Sequence, residues 1–284
     1  MNDWPALDNE SPLIDVSALA ELLTAPAPPS VLDVRWRLGG PPGRRDYLIG
    51  HIPGAVFLDL DDQLSGPPGA GGRHPLPEPD RLQRELRAAG VRQEHPVVVY
   101  DTGAGDAAAR LWWTLRWAGH PDVRVLDGGY AAWTAAGRSV EPGEVSAAPG
   151  DFTVAPGKLP VLDAAGAADV ARRGVLLDAR VEPRYRGETE PVDRVAGHIP
   201  GAVNLPAARL SAPDGRLLPV ADLRAQFTEA GVLPGGTVGA YCGSGVTAAR
   251  TVLALTVAGI TDPALYVGSW SEWITDPDRP VATS

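Results

Sequence analysis

Residues 50–56 read GHIPGAV, and residues 197–203 read GHIPGAV again. Seven identical residues at that separation point to duplication, and neighbouring blocks extend the match in both directions. Upstream, Leu32–Arg35 (LDVR) matches Leu177–Arg180 (LDAR). Downstream, VVVYD ending at Asp101 matches TVGAYC ending at Cys242. AAARLWWTLRWAG then matches TAARTVLALTVAG with Arg110 on Arg250, and LDGGYAAW (to Trp133) matches YVGSWSEW (to Trp273). The offsets stay between 140 and 147 residues. The chain is therefore one unit written twice, not a solenoid, whose periods run to about 20–50 residues.

Within each unit, short β-branched runs alternate with amphipathic stretches. SVLDVR, AVFLDL and PVVVYD read as strands, and DRLQRELRAAG and AARLWWTLRWAG as helices closed by Gly. GVLLDAR, AVNLP, ADLRAQFTEAG and TVGAYC repeat the pattern. Such alternation predicts an α/β fold: two tandem domains, each with a mostly parallel central sheet flanked by helices. The expected boundaries are 1–140 for an N-terminal domain, 141–160 for a linker and 161–284 for a C-terminal domain. The joining stretch, Gly137–Pro160, is rich in Gly, Pro and Ala without helical periodicity, as expected of a segment that wraps along the surface. His51 and His198, inside the repeated GHIPGAV, are expected to fix a loop rather than act chemically.

Composition narrows the class. With 44% apolar and 21% charged residues in 284, the chain is globular rather than disordered. A net charge of −10 without a Lys/Arg stripe argues against nucleic acid as a partner. The N-terminus, MNDWPALDNESPLID, lacks the basic start and apolar run of a secretory signal. The most apolar stretch, Thr247–Ile260, carries an Arg and is too short to span a bilayer. One cysteine cannot form an internal disulfide. The expectation is a cytoplasmic protein without membrane contact, needing neither cofactor nor metal.

That cysteine, Cys242, lies in AYCGSGVT, between an apolar strand and a helix. Open α/β sheets place ligands at the carboxyl ends of their strands. Gly243 and Gly245 let backbone N–H groups converge there, and the helix N-terminus adds positive potential, so a thiolate or persulfide is stabilised without a metal. Ser244 and Thr247 add hydroxyls. At the matching position the first unit carries Asp101 and no thiol, which predicts one catalytic and one supporting domain.

CGSGVT, GHIPGAVN, RYRG and the terminal GSWSEW, in two tandem halves, resemble the rhodanese superfamily and within it the 3-mercaptopyruvate sulfurtransferases. The resemblance covers nearly the whole chain. It implies two rhodanese-like domains, the first non-catalytic, with the site facing the cleft between them. It implies that Cys242 takes a sulfur atom from a donor, becomes a persulfide and passes the sulfur to a thiol or cyanide. Ser244 would assist catalysis, and Gly243, Gly245, Val246 and Thr247 would hold the sulfur. Arg184, the first Arg of RYRG, would bind the donor carboxylate. Arg194 in TEPVDR is the best match for a second clamp, although its spacing is shifted. A Ser–His–Asp relay maps onto Ser244, His74 in RHPLP and Asp61 in DLDDQ, with a longer, Gly/Pro-rich stretch between Asp61 and His74 than such relatives have. Trp36 would line the cleft or simply pack.

Thiosulfate-preferring relatives carry basic residues directly after the Cys, whereas Gly243 and Ser244 offer no charge-assisted contact. This favours 3-mercaptopyruvate as donor over a thiosulfate:cyanide sulfurtransferase. With no second Cys, the acceptor must be external: thioredoxin or a low-molecular-weight thiol. Two other readings remain open at this stage. A cysteine phosphatase needs an Arg six residues after the Cys, where this chain has Ala248. A non-catalytic sulfur-relay or binding module would not need the intact loop.

Overall fold

A computed structural model describes residues 11–103 and 105–283; the N-terminal stretch 1–10, read above as lacking a signal, lies outside the described residues. The first unit contributes strands β1 (Leu13–Ile14), β2 (Ser30–Asp33), β3 (Val56–Phe57), β4 (Val97–Tyr100) and β5 (Val123–Leu126). The second contributes β6 (Val161–Leu162), β7 (Val175–Asp178), β8 (Val203–Asn204), β9 (Val238–Tyr241) and β10 (Ala264–Tyr266). They form two sheets of identical order, β1-β5-β4-β2-β3 and β6-β10-β9-β7-β8, with every pairing parallel. The α/β expectation therefore holds, and both sheets are wholly parallel. All four residues of β4 and of β9 are buried, as strands covered on both faces must be.

Helices in chain order are α1 (Val16–Leu22), α2 (Gly43–Ile49), α3 (Pro79–Ala88), α4 (Asp106–Trp117), α5 (Gly129–Ala135), α6 (Ala164–Arg173), α7 (Glu182–Tyr185), α8 (Val220–Glu229), α9 (Val246–Ala258) and α10 (Ser269–Trp273). Helices α4 and α9 are buried almost all round, the signature of elements with protein on every side. They pack on each other at the junction of the two halves. One apolar cluster consequently runs from Leu32 and Trp113 of the first half to Phe227 and Leu253 of the second. The cleft between the domains is thus walled by parts that share a core.

The LDVR and LDAR blocks are matched struts. Arg35 grips Asp33 at 2.6 Å and donates to the Gly50 carbonyl; Arg180 grips Asp178 at 2.7 Å and donates to the Gly197 carbonyl. The histidines of GHIPGAV do the same kind of work. His51 pairs its backbone with Glu141 and stacks on Tyr47, while His198 pairs with Ala282 and stacks on Tyr185. Those backbone pairs carry the repeat beyond residue 140, because the segment after α5 mirrors the segment after α10. The joining stretch does run along the first domain: Phe152 is fully buried and bonds to Val91, and Ala155 to Ala118. Among the described residues no helix is long and apolar enough to cross a membrane.

Candidate active site

Cys242 follows the last residue of β9, at the carboxyl edge of the second sheet, and the turn 242–245 leads directly into α9. Gly245 adopts φ +77°, and a Cβ there would lie 2.3 Å from the Val267 carbonyl oxygen and 2.8 Å from Arg110 Nη1. Only glycine fits. The turn brings the Gly245 N–H to 3.2 Å from Cys242 Sγ, and the sulfur faces the N-terminus of α9, an arrangement that favours negative charge on sulfur. The GSWSEW block holds the loop from below. Ser269 Oγ accepts the Cys242 N–H at 3.1 Å, and the N–H groups of Trp270 and Ser271 donate to the carbonyls of Cys242 and Gly243. Ser269 has φ +54°, where its twin Gly129 has +56°. A serine in that strained region is kept for its hydroxyl.

The twin loop of the first domain displays what such a turn binds. The Asp101 carboxylate accepts from the N–H groups of Gly103, Gly105, Ala107 and Ala108 at 2.9–3.2 Å. In that domain a side-chain carboxylate fills the turn. Both loops border one cleft of about 660 Å³, lined by residues of both halves, including Trp36, Arg73, Asp101, Arg184, Cys242 and Arg250.

The aligned arginines Arg110 and Arg250 are exchanged across the junction. Arg110, on α4, is 1% exposed and donates to the carbonyls of Gly245 and His74 at 3.2 and 2.9 Å. Burial lowers its pKa to about 10, and negative charge on Cys242 opposes that fall. Arg250, on α9, donates to Gly215 and lies 3.8 Å from Asp106 of the first domain. Each helix therefore sends its cation to the other half. Thr247 is spoken for as well: its hydroxyl donates to Asp106 Oδ2 at 3.0 Å instead of facing the sulfur.

The three relay residues, far apart in sequence, are brought together. Ser244 Oγ lies 2.7 Å from His74 Nδ1, and His74 Nε2 lies 2.9 Å from Asp61 Oδ1. A carboxylate can only accept, so Nε2 carries the proton and Nδ1 accepts from the serine hydroxyl. Trp36 Nε1–H donates to the other Asp61 oxygen at 2.9 Å, and its ring stands edge-on to His74 at 5.4 Å. Trp36 thus both lines the cleft and orients the relay. Burial depresses the His74 pKa, Asp61 opposes this, and Arg110 and Arg73 add to the depression. The imidazole is neutral near pH 7. The Gly/Pro-rich stretch that lengthened the Asp-to-His separation folds against α10: a Cβ on Gly72 would strike the Gly268 carbonyl oxygen at 2.7 Å.

The four arginines of residues 178–194 part company. Arg180 belongs to its strut with Asp178, and Arg186 pairs at the surface with Glu182. Arg184 lines the cleft, with its Nη atoms 3.6 and 3.7 Å from a Cβ placed on Gly243. It is held by Glu190 at 2.6 Å and Asp193 at 3.1 Å. Burial raises the Glu190 pKa, but Arg184 and two backbone N–H groups bring it below the ordinary value. Arg194 is turned elsewhere: its guanidinium donates to the carbonyls of Ile274 and Thr275 and it is absent from the cleft lining. Arg73, of the first domain, is in the cleft instead. A cation therefore borders the loop from the first domain, although neither Gly243 nor Ser244 supplies one. Arg73 and Arg110 escaped sequence reading because they come from the other domain; the alignment of Arg110 with Arg250 was the one signal for the latter.

Two rhodanese-like domains with one cysteine loop at their shared cleft define the class, and the chain belongs to the Rhodanese-like domain family, whose model matches residues 15–136 and 162–276. It is 50% identical over 277 residues to "Putative thiosulfate sulfurtransferase SseB" of Mycobacterium tuberculosis, covering 95% of this chain and 96% of that one. It is 50% identical over 262 residues to "Probable 3-mercaptopyruvate sulfurtransferase" of Pseudomonas aeruginosa, covering 89% and 92%. The crystal structure of SseA from Escherichia coli, described as a 3-mercaptopyruvate sulfotransferase, superposes with TM-score 0.81 at 34% identity, covering 93% of this chain and all of that one.

Proposed function

We propose that this chain is a sulfurtransferase that moves sulfur from 3-mercaptopyruvate through a persulfide on Cys242 to an external thiol. The observation that carries the choice of donor is the chain Ser244–His74–Asp61 beside the thiol. Cys242 thiolate attacks the donor sulfur, the S–C bond breaks, and pyruvate departs as its enolate. The donor's thiol proton must reach that carbon, which leaves a persulfide anion and pyruvate. A hydroxyl backed by a neutral imidazole, itself held by a carboxylate, suits this transfer. Thiosulfate would release sulfite, a weak base that needs no such proton. Names among the relatives support either donor, so the relay weighs more than they do. Arg184 fits the donor carboxylate, and the amides of Gly245, Thr247 and Ala248, equivalent to those around Asp101, fit the outer sulfur of the persulfide. The acceptor, thioredoxin or a small thiol, would enter by the same cleft, and a cytoplasmic setting would keep it reduced.

The test compares both donors on wild type and Ser244→Ala. Wild type should load sulfur onto Cys242 with the higher kcat/KM from 3-mercaptopyruvate. Ser244→Ala should lose on the order of 10²-fold with that donor and little with thiosulfate. A higher kcat/KM for thiosulfate on wild type would refute the choice. The pH profile offers a second check. Because burial depresses the His74 pKa, the acid limb of kcat should lie below the ordinary histidine value of about 6.5. Asp61→Asn removes a charge that favours imidazolium, so it should move that limb lower still while reducing kcat.

A further inference from the structure

We infer that Asp106, carried by the non-catalytic domain, is the proton acceptor of the second half-reaction, acting through the Thr247 hydroxyl on the thiol that collects the sulfur. This rests on the Cys242 persulfide and is independent of which donor forms it.

Three observations meet at this pair. Of residues 241–250, Thr247 alone is not buried. Cys242 and Ser244 are only 4% and 5% exposed. A molecule approaching the loop through the cleft therefore meets the Thr247 side chain, and Asp106 lines the same cleft. Next, the pair breaks the internal symmetry. The alignment of Arg110 with Arg250 sets Asp106 against Val246 and Ala107 against Thr247. The corresponding pair, Val246 and Ala107, is apolar, so the repeat does not need this polar contact in order to fold. It occurs only on the side that holds the thiol. Finally, the carboxylate has capacity to spare. Oδ2 accepts from Thr247 at 3.0 Å, whereas Oδ1 is buried without a hydrogen-bond partner among the described residues, and Arg250 Nη1 stops 3.8 Å away. Burial raises the Asp106 pKa to about 6; Arg250 and Thr247 oppose the rise and Asp101 adds to it. The group is ionised near pH 7 and more basic than an ordinary carboxylate, as a general base should be.

The two protons of the cycle then have separate routes. Ser244 and His74 handle the proton of the donor, and Thr247 and Asp106 that of the acceptor. A hydroxyl that donates to a carboxylate keeps its lone pairs for a second partner. The acceptor S–H proton passes to Thr247 Oγ as the Thr247 proton passes to Asp106 Oδ2. The acceptor sulfur bonds to the outer sulfur of the persulfide, the bond from that sulfur to Cys242 Sγ breaks, and its electron pair stays on Sγ. Asp106 returns the proton by the same path to the released persulfide. A thiol and the Cys242 persulfide anion thus give a new persulfide and the Cys242 thiolate, with nothing else consumed.

The test isolates the discharge step. Wild type and variants are loaded with sulfur from either donor, freed of that donor, checked by intact mass and mixed with an acceptor at about pH 7. 2-Mercaptoethanol is only a few per cent ionised there and needs a base, whereas thiophenol is largely ionised and brings Asp106 no proton to take. Asp106→Asn should discharge to 2-mercaptoethanol about tenfold more slowly, and to thiophenol within about twofold of wild type. The loss is capped near that size because the ionised few per cent bypasses the base. Thr247→Val should lower the ratio of the two rates similarly, and Thr247→Ser should restore most of it. The inference is overturned if Asp106→Asn keeps the wild-type ratio, or if both acceptors slow alike, which would mark a structural role. Should Asp106→Asn fail to fold, the ratio in Thr247→Val decides in the same way. A wild type that gains no sulfur would overturn the persulfide reading, and this inference with it, before any acceptor is added.

Discussion

Cys242→Ser is expected to remain folded and to be unable to accept sulfur, with turnover reduced by on the order of 10⁴-fold or more. The fold survives because serine is nearly the size of cysteine and its oxygen can still accept the Gly245 N–H. The change in stability should stay within about 1 kcal/mol. Chemistry does not survive because no other group can take over. Cys242 is the one thiol of the chain, and the twin carboxylate of Asp101 is saturated by four amides. Intact-mass measurement after exposure to donor should show one added sulfur on wild type and none on the variant. Sulfur on the serine variant, or a biological effect that survives the change, would mean a binding or relay module rather than an enzyme.

Arg110→Leu is expected to cost about 2–4 kcal/mol of stability and about a hundredfold in sulfur loading, although Arg110 touches no substrate. Two opposing effects must be weighed. Removing a fully buried cation relieves its desolvation, which is large enough to lower its pKa to about 10. Against this, the carbonyls of Gly245 and His74 lose their donor in a place water does not reach. One of these belongs to the catalytic turn and the other to the relay, so both would move. The loss should win, because the cation also attracts negative charge on the sulfur. A double-mutant cycle with Cys242→Ser isolates that share: Arg110→Leu should be at least about 1 kcal/mol milder in the serine background. Denaturant unfolding of the four proteins checks the first number and mass-resolved loading the second. Unchanged loading in Arg110→Leu would show that the turn holds itself.

The contrast between these residues shows how far sequence reading reaches. Cys242 was legible because strand, glycine turn and helix are local patterns, and a helix N-terminus beside a thiol has chemical meaning wherever it occurs. The central strands β4 and β9 and helices α3, α4, α8 and α9 were legible for the same reason. AVFLDL and AVNLP promised longer strands than Val56–Phe57 and Val203–Asn204, because apolar runs pack well in loops that lie on a core. Edge strands such as β1 and β6, two residues each, carry no readable period.

By itself the sequence determined the duplication, the α/β class, the absence of a thiol from one copy and the position of the cysteine in the other. These follow from short-range periodicity and from comparing the chain with itself. Only the tertiary structure decided which side chains face Cys242. It joined Ser244 to His74 and Asp61 across the domains, turned Arg194 onto the backbone behind α10 and set Arg73 and Arg110 against the loop. The physical reason lies in the junction of α4 and α9. A shared core holds two sheet edges face to face, and the contacts across it depend on three-dimensional register, which no local spacing encodes.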